Sequence, residues 1–192
     1  MKKILILNGH PNPESYCSAL AMAYKKGSEK TTKELKTIEL SEINFNPILK
    51  HGYQKRTELE LDLFAAWQKI EWADHIVIIT PIWWGGIPAG LKGFFDRVFL
   101  PGMAFQYREN SVFWDKLLTG KTAHIISTMD TPNWYYKLIY GNAGIKQLKN
   151  NILEFCGIKV VKTTAITPMR NSTEAFRKKW LTQIENDGYK LK

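Results

Sequence analysis

What this chain of 192 residues has little of narrows its chemistry before any motif is read. It carries two cysteines, Cys17 and Cys156, far apart and in no metal-ligand spacing. That excludes a disulfide scaffold and points to a reducing cytoplasm. Its four histidines, His10, His51, His75 and His124, form no H-x-x-x-H pair, so no metal is expected. No apolar run approaches the roughly 18 residues of a membrane helix, so no membrane insertion is expected. The apolar run behind Met1-Lys2-Lys3 stops at Asn8-Gly9-His10-Pro11, far short of a secretory leader's core. G-x-G-x-x-G and the P-loop are both missing, which weakens a dinucleotide Rossmann site and a nucleoside triphosphatase. Acidic residues are in the minority, and the net charge is +9. With no nucleic-acid motif beside it, that charge reads as a solvated basic surface that draws in anionic dinucleotides.

What is present is an alternation of strands and helices. With 44% hydrophobic and 23% charged residues the chain has an ordinary globular balance, and 1–192 reads as a single domain without linker or repeat. Strands are expected at 3–8, 35–40, 75–80, 122–128 and 158–166. The first and third, Ile-Leu-Ile-Leu and Ile-Val-Ile-Ile, are continuous apolar runs suited to burial on both faces. Helices are expected at 15–30 behind Ser15 as N-cap, at 57–72 with Leu61, Phe64, Ala65 and Gln68 at helical spacing, and at 88–99 with Pro88 in the first turn. Further helices are expected at 142–156, ending at Gly157, and at 173–187, while 41–56 reads as loop. Five doubly covered strands predict an α/β, flavodoxin-like, three-layer doubly wound parallel sheet in the order 2-1-3-4-5. Ligands of such sheets bind beyond the carboxyl ends of the strands, between strands 1 and 3. Three loops at that end are therefore the candidates.

The loop Asn8 to Ser18 opens the first helix, whose free N–H groups and dipole favour an anion. Ser15, Ser18, His10 and Asn12 add donors, and no acidic side chain lies between Ser15 and Tyr24. The bland alternative, a capped helix after a polar turn, is nearly as good. Thr80 to Pro88 sets Trp83-Trp84-Gly85-Gly86 between prolines, a rigid loop able to line a flat aromatic ligand and bond its edge with backbone. The bland alternative there is packing on helix 88–99. Ser127 to Tyr136, with Tyr140-Gly141-Asn142 behind it, supplies phenols that can stabilise negative charge, or an aromatic core or dimer contact in equal measure.

At these residues the chain resembles the NAD(P)H:quinone oxidoreductase (DT-diaphorase) family, including its bacterial drug-activity modulator and potassium-efflux ancillary members. The resemblance rests on Gly9-His10 with Ser15 five residues on, Asn44-Phe45-Asn46-Pro47-Ile48, Ala73-Asp74, Pro81 through Trp84-Gly85 and Ile87-Pro88-Ala89 to Leu91–Phe99, Ala104-Phe105-Gln106-Tyr107, and Phe155-Cys156-Gly157. It spans residues 3–165. It implies a bound flavin, FAD or FMN, with NAD(P)H as co-substrate, and a homodimer with its sites at the interface. His10, Ser15, Tyr16, Cys17 and Ser18 would hold the flavin phosphates. Pro81, Ile82, Trp83, Trp84, Gly85 and Thr128 would line the ring. Phe105, Tyr107 and Phe155 would shape the acceptor pocket across the interface. Where animal members of the family use a Tyr and a His to stabilise charge on the flavin, the resemblance sets Tyr140 at the His position and the Tyr among Trp134, Tyr135 and Tyr136, with Tyr136 taken as the candidate, and a phenol is a weaker acid than an imidazolium. The expected function is ping-pong transfer of two electrons from NAD(P)H to quinones, azo or nitro compounds. A flavodoxin-type carrier and a regulatory subunit of a membrane transporter are the alternatives.

Overall fold

The computed structural model describes residues 2–32, 34–55 and 57–191; Arg56, at the end of the expected 41–56 loop, and Met1 and Lys192, at the ends of the expected domain, lie outside them. Along the chain run β1 (Ile4–Asn8), α1 (Tyr16–Ser28), β2 (Leu35–Glu39), α2 (Leu61–Trp72), β3 (His75–Pro81) and α3 (Ala89–Val98). There follow a short antiparallel hairpin, β4 (Phe105–Tyr107) and β5 (Trp114–Lys116), then β6 (Thr122–Thr128), α4 (Asn133–Leu138), α5 (Ala143–Lys146), β7 (Lys159–Ile166) and α6 (Glu174–Tyr189). The main sheet is wholly parallel, in the order β2-β1-β3-β6-β7. This is the expected order, renumbered because the β4–β5 hairpin was not foreseen.

The inner strands β1, β3 and β6 are buried nearly throughout, as their β-branched runs require. The edges β2 and β7 are half-exposed and correspondingly more polar. Successive side chains of a strand point to opposite faces. Thus Ile4, Ile6, Val77 and Ile79 pack towards α1 and α6, while Leu5, Leu7, Ile76 and Ile78 pack towards α2, α3 and the helix that follows α5.

Two expectations need correction, and one helix face is newly assigned. First, α2 begins at Leu61, because residues before it are held extended by Arg97. That buried guanidinium donates to both carboxylate oxygens of Glu60, at 2.7 and 3.0 Å, to the Glu58 carbonyl at 3.0 Å and to the Asn46 carbonyl. Second, the stripe Leu61, Phe64, Ala65 and Gln68 faces outward, and Leu63, Ala66, Trp67 and Ile70 are the buried face. Both stripes carry apolar residues at helical spacing, so periodicity alone does not choose between them. Third, the helix expected over 142–156 passes from α5 into a π-helical stretch over Gln147–Leu153, a rare geometry that clusters at functional sites. No helix among the described residues is long and apolar enough to cross a membrane.

Candidate active site

The site is built at the carboxyl ends of β1, β3 and β6. Asn8 ends β1 fully buried and orders the loop behind it. Its amide donates to Ser18 Oγ at 2.9 Å and to Glu39 Oε2 at 2.8 Å, and its carbonyl accepts from His10 N–H at 3.2 Å. His10 Nδ1 in turn accepts from Asn12 N–H at 3.0 Å, which leaves the ring proton on Nε2. Partial burial holds the His10 pKa below its ordinary value. Ser15 caps α1 by accepting from Ser18 N–H at 3.2 Å. The next two amides, Tyr16 and Cys17, have no hydrogen-bond partner among the described residues, as the geometry of a helix start dictates. No acidic residue occupies the first turn of α1.

The second loop leaves β3 beside the third. Pro81 and Thr128 are in register, and Ile82 N–H donates to the Thr128 carbonyl at 2.8 Å. Trp83 and Gly86 then exchange N–H···O bonds of 2.9 Å in both directions, closing a two-residue hairpin turn with Trp84 and Gly85 at its tip. Both tip residues lie at positive φ, +52° and +77°, as a type I′ turn demands. Gly85 suits that geometry; a tryptophan there is an outlier, and its indole is fully exposed. Neither the Trp84 nor the Gly85 N–H has a partner among the described residues.

The expected cofactor residues converge on this cleft. Cys17 Sγ lies 3.4 Å from Thr128 Oγ1, which joins the first loop to the third, and the His10 and Trp83 rings meet edge to face at 5.4 Å. Two side chains do less than expected there. The Cys17 thiol is buried and its pKa is pushed up to about 11, so only its amide faces an anion. The Tyr16 hydroxyl points away and donates to the Arg177 carbonyl at 2.7 Å.

The tyrosines divide. Tyr140 is half-exposed, with its ring 3.7 Å from where a Cβ on Gly85 would stand. Tyr136, expected as a charge-stabilising phenol at the flavin, is fully buried among Ile82, Met129 and Ile145. Its hydroxyl is already engaged, donating to the Gly85 carbonyl at 3.0 Å and accepting from Gly144 N–H at 2.9 Å. The structure thus sets this hydroxyl beneath the Gly85 turn, not at the exposed surface of the cleft. In sequence it was one of three adjacent aromatics, and nothing local distinguishes the inward one.

Phe105, Tyr107 and Phe155 are brought together, in a second cavity of about 270 Å³ that shares no lining residue with the cleft. Phe105 meets Tyr107 and Phe155 edge to face at 5.2 and 5.1 Å. Trp114, unforeseen because it belongs to the unforeseen hairpin, stacks on Phe155 at 4.3 Å and donates to its carbonyl at 2.9 Å. The π-helical stretch adds Gln147, Asn151 and Ile152 to the wall. Among the described residues no cluster of three or more His, Cys, Asp or Glu is placed to hold a metal.

A parallel sheet in this order, with its polar and aromatic loops gathered at the carboxyl ends of β1, β3 and β6, defines a flavodoxin-like protein. A family model described as a flavodoxin-like fold matches residues 2–186, and the chain belongs to that family. Among its relatives, the ribosyldihydronicotinamide dehydrogenase [quinone] of Mus musculus is 30% identical over 92% of this chain and 86% of its own. The NAD(P)H dehydrogenase [quinone] 1 of Rattus norvegicus is 28% identical over 84% of this chain and 67% of its own. A solved structure from Streptococcus mutans UA159 is 32% identical and superposes with a TM-score of 0.82, covering 98% of this chain and 99% of the other. The resemblance read from the motifs is borne out.

Proposed function

We propose that the protein is a flavin-dependent NAD(P)H oxidoreductase that delivers two electrons to quinones or similar small acceptors, azo and nitro compounds included. The observation that carries this reading is the pairing of two sets of free backbone donors in one cleft. The Tyr16 and Cys17 amides stand at the start of α1, and the Trp84 and Gly85 amides at the strained turn, with Thr128 between them. The first set suits a phosphate and the second the polar edge of an isoalloxazine, so the donor set fits a flavin.

In this reading Ser15, Ser18 and the Nε2–H of His10 complete the phosphate cradle. Pro81, Ile82, Trp83, Trp84, Gly85 and Thr128 frame the ring. When bound, the flavin supplies hydride chemistry, taking two electrons from NAD(P)H and passing them on in a separate half-reaction. Amides aimed at the ring edge stabilise negative charge there without reorganising. Tyr140 is the exposed phenol left to donate a proton-bearing hydroxyl at that edge. The cavity of Phe105, Tyr107 and Phe155 forms the acceptor wall for the cleft of a second copy, which makes the working unit a homodimer. Residues 1–192 act as one flavin-binding domain in the cytoplasm, with FAD or FMN as the resident group.

The test is a visible spectrum of the purified protein, followed by release and chromatography of the chromophore. A flavin band that bleaches with NADPH under anaerobic conditions and returns with a benzoquinone is expected, and the released species names FAD or FMN. A protein that takes up neither flavin overturns the reading. A band that bleaches with dithionite but not with NADPH or NADH marks an electron carrier instead.

A further inference from the structure

The turn at Trp84-Gly85 presents a physical problem. A bulky side chain sits at positive φ at the first position of a type I′ turn, where Asn, Asp or Gly is preferred, and the indole is fully exposed among the described residues. Such a conformation persists only where the surroundings over-determine it. The cross-bonds between Trp83 and Gly86 close the turn but do not fix its tilt against the sheet. The tilt is set from beneath. The Gly85 carbonyl is drawn inward by two donors, the Tyr136 hydroxyl at 3.0 Å and Gly144 N–H at 3.0 Å, and Gly144 N–H also donates to the Tyr136 oxygen at 2.9 Å. The Tyr136 ring cannot swing, being sealed among Ile82, Met129 and Ile145. Residue 144 must be glycine for this approach, since a Cβ there would stand 2.9 Å from the Gly85 oxygen and 3.0 Å from Gly86 Cα.

We propose that Tyr136 is a positioning residue, a buried latch that holds the Gly85 carbonyl inward and thereby keeps the Trp84 and Gly85 N–H groups turned outward to the flavin edge. This rests on the flavin reading above. Its consequence is electronic: the latch sets how well the site holds the negative charge of the reduced ring, although its own hydroxyl never touches the ring.

The variant is Tyr136→Phe, which keeps the ring and removes only the hydroxyl. In flavin-free protein, amide exchange at Trp83 and Gly86 should quicken about tenfold, the weight of one hydrogen bond. In the Trp84→Asn background, where the turn is unstrained, the same change should quicken exchange only about twofold. In flavin-loaded protein, Tyr136→Phe should weaken binding of the reduced flavin relative to the oxidised about tenfold, a fall of about 30 mV in a two-electron midpoint potential. Unchanged exchange at Trp83 and Gly86 overturns the latch. Quickened exchange with an unchanged potential reduces Tyr136 to a packing residue and overturns the positioning role. If Tyr136→Phe does not fold, Gly144→Ala, which displaces the same carbonyl, must show the same pair of changes or the proposal falls. A wild-type protein that takes up no flavin is seen before any variant is made, and it defeats the function along with the proposal.

Discussion

The two ends of the sheet are built on opposite principles. At the amino-terminal end most polar groups are closed upon one another. Lys3 N–H donates to Asp74 Oδ2 at 2.9 Å, Lys121 Nζ donates to the Glu71 and Ala73 carbonyls at 2.6 Å, and Thr122 N–H reaches the Asp74 carbonyl at 3.0 Å. His75 and Thr122 pair side chain to side chain at 2.8 Å, as do His124 and Thr164. At the carboxyl end the amides of Tyr16, Cys17, Trp84 and Gly85 instead have no partner among the described residues, a tryptophan is held at positive φ and its indole is exposed. A closed end adds to stability and offers few free donors. An open end gives up stability and gains a place for a ligand's charge.

The largest effect should come from acid acting on the closed end. Burial of His75 lowers its pKa from 6.5 to about 3, and its Nε2 has no partner among the described residues. The folded chain therefore resists a proton that the unfolded chain accepts. Stability is unaffected above the ordinary value and falls as pH drops below about 6.5, by about 1.4 kcal/mol per pH unit until the folded value is reached. Urea midpoints between pH 7 and 5, above the range of ordinary carboxylates, should show that slope, and His75→Gln should flatten it. A slope that survives the substitution assigns acid sensitivity elsewhere.

Next in size is Arg97→Met. The guanidinium lies at the carboxyl-terminal end of α3, and its loss strands the Asn46 and Glu58 carbonyls and the Glu60 carboxylate at a cost of about 3 kcal/mol. Thermal unfolding should register this, while flavin affinity at a temperature where the variant is folded should stay within about twofold, since a closed-end contact does not shape the cleft.

Gly144→Ala should reverse that ratio. Overpacking beneath the turn costs about 1–2 kcal/mol of stability, but it displaces the Gly85 carbonyl and should weaken flavin binding by tenfold or more in a fluorescence titration. Equal losses at the two ends would dissolve the contrast between them. The smallest expected change is Ser15→Ala, about 1 kcal/mol from the lost N-cap, with a loss of flavin affinity of about threefold in the same titration, the weight of one weak hydrogen bond.

Much of this was legible in the chain itself. The runs Ile4–Leu7 and Ile76–Ile79 announce doubly buried strands, Ser15 announces the start of α1, and the alternation of elements yields the sheet order and hence the end at which a site lies. The loops that converge were legible for the same reason: each follows directly upon an inner strand. The β4–β5 hairpin was not, because three-residue strands carry no period and form here against the rest of the fold. Nor was the inward face of α2, where Leu61 and Leu63 have equal claims until a sheet lies beneath one of them.

By its own pattern, then, the sequence determined the class of fold, the strand order and the three loops that make the cleft, since hydrophobic period and cap chemistry are local properties. Tertiary structure alone decided that Tyr136 turns inward while Trp134, Tyr135 and Tyr140 remain at the surface, that Arg97 is buried, and that Phe105 and Phe155 line a cavity apart from the cleft. The physical reason is common to all three. Adjacent aromatic or charged side chains are locally equivalent, and only the space left by distant elements, with the donors and acceptors that line it, separates one from the next.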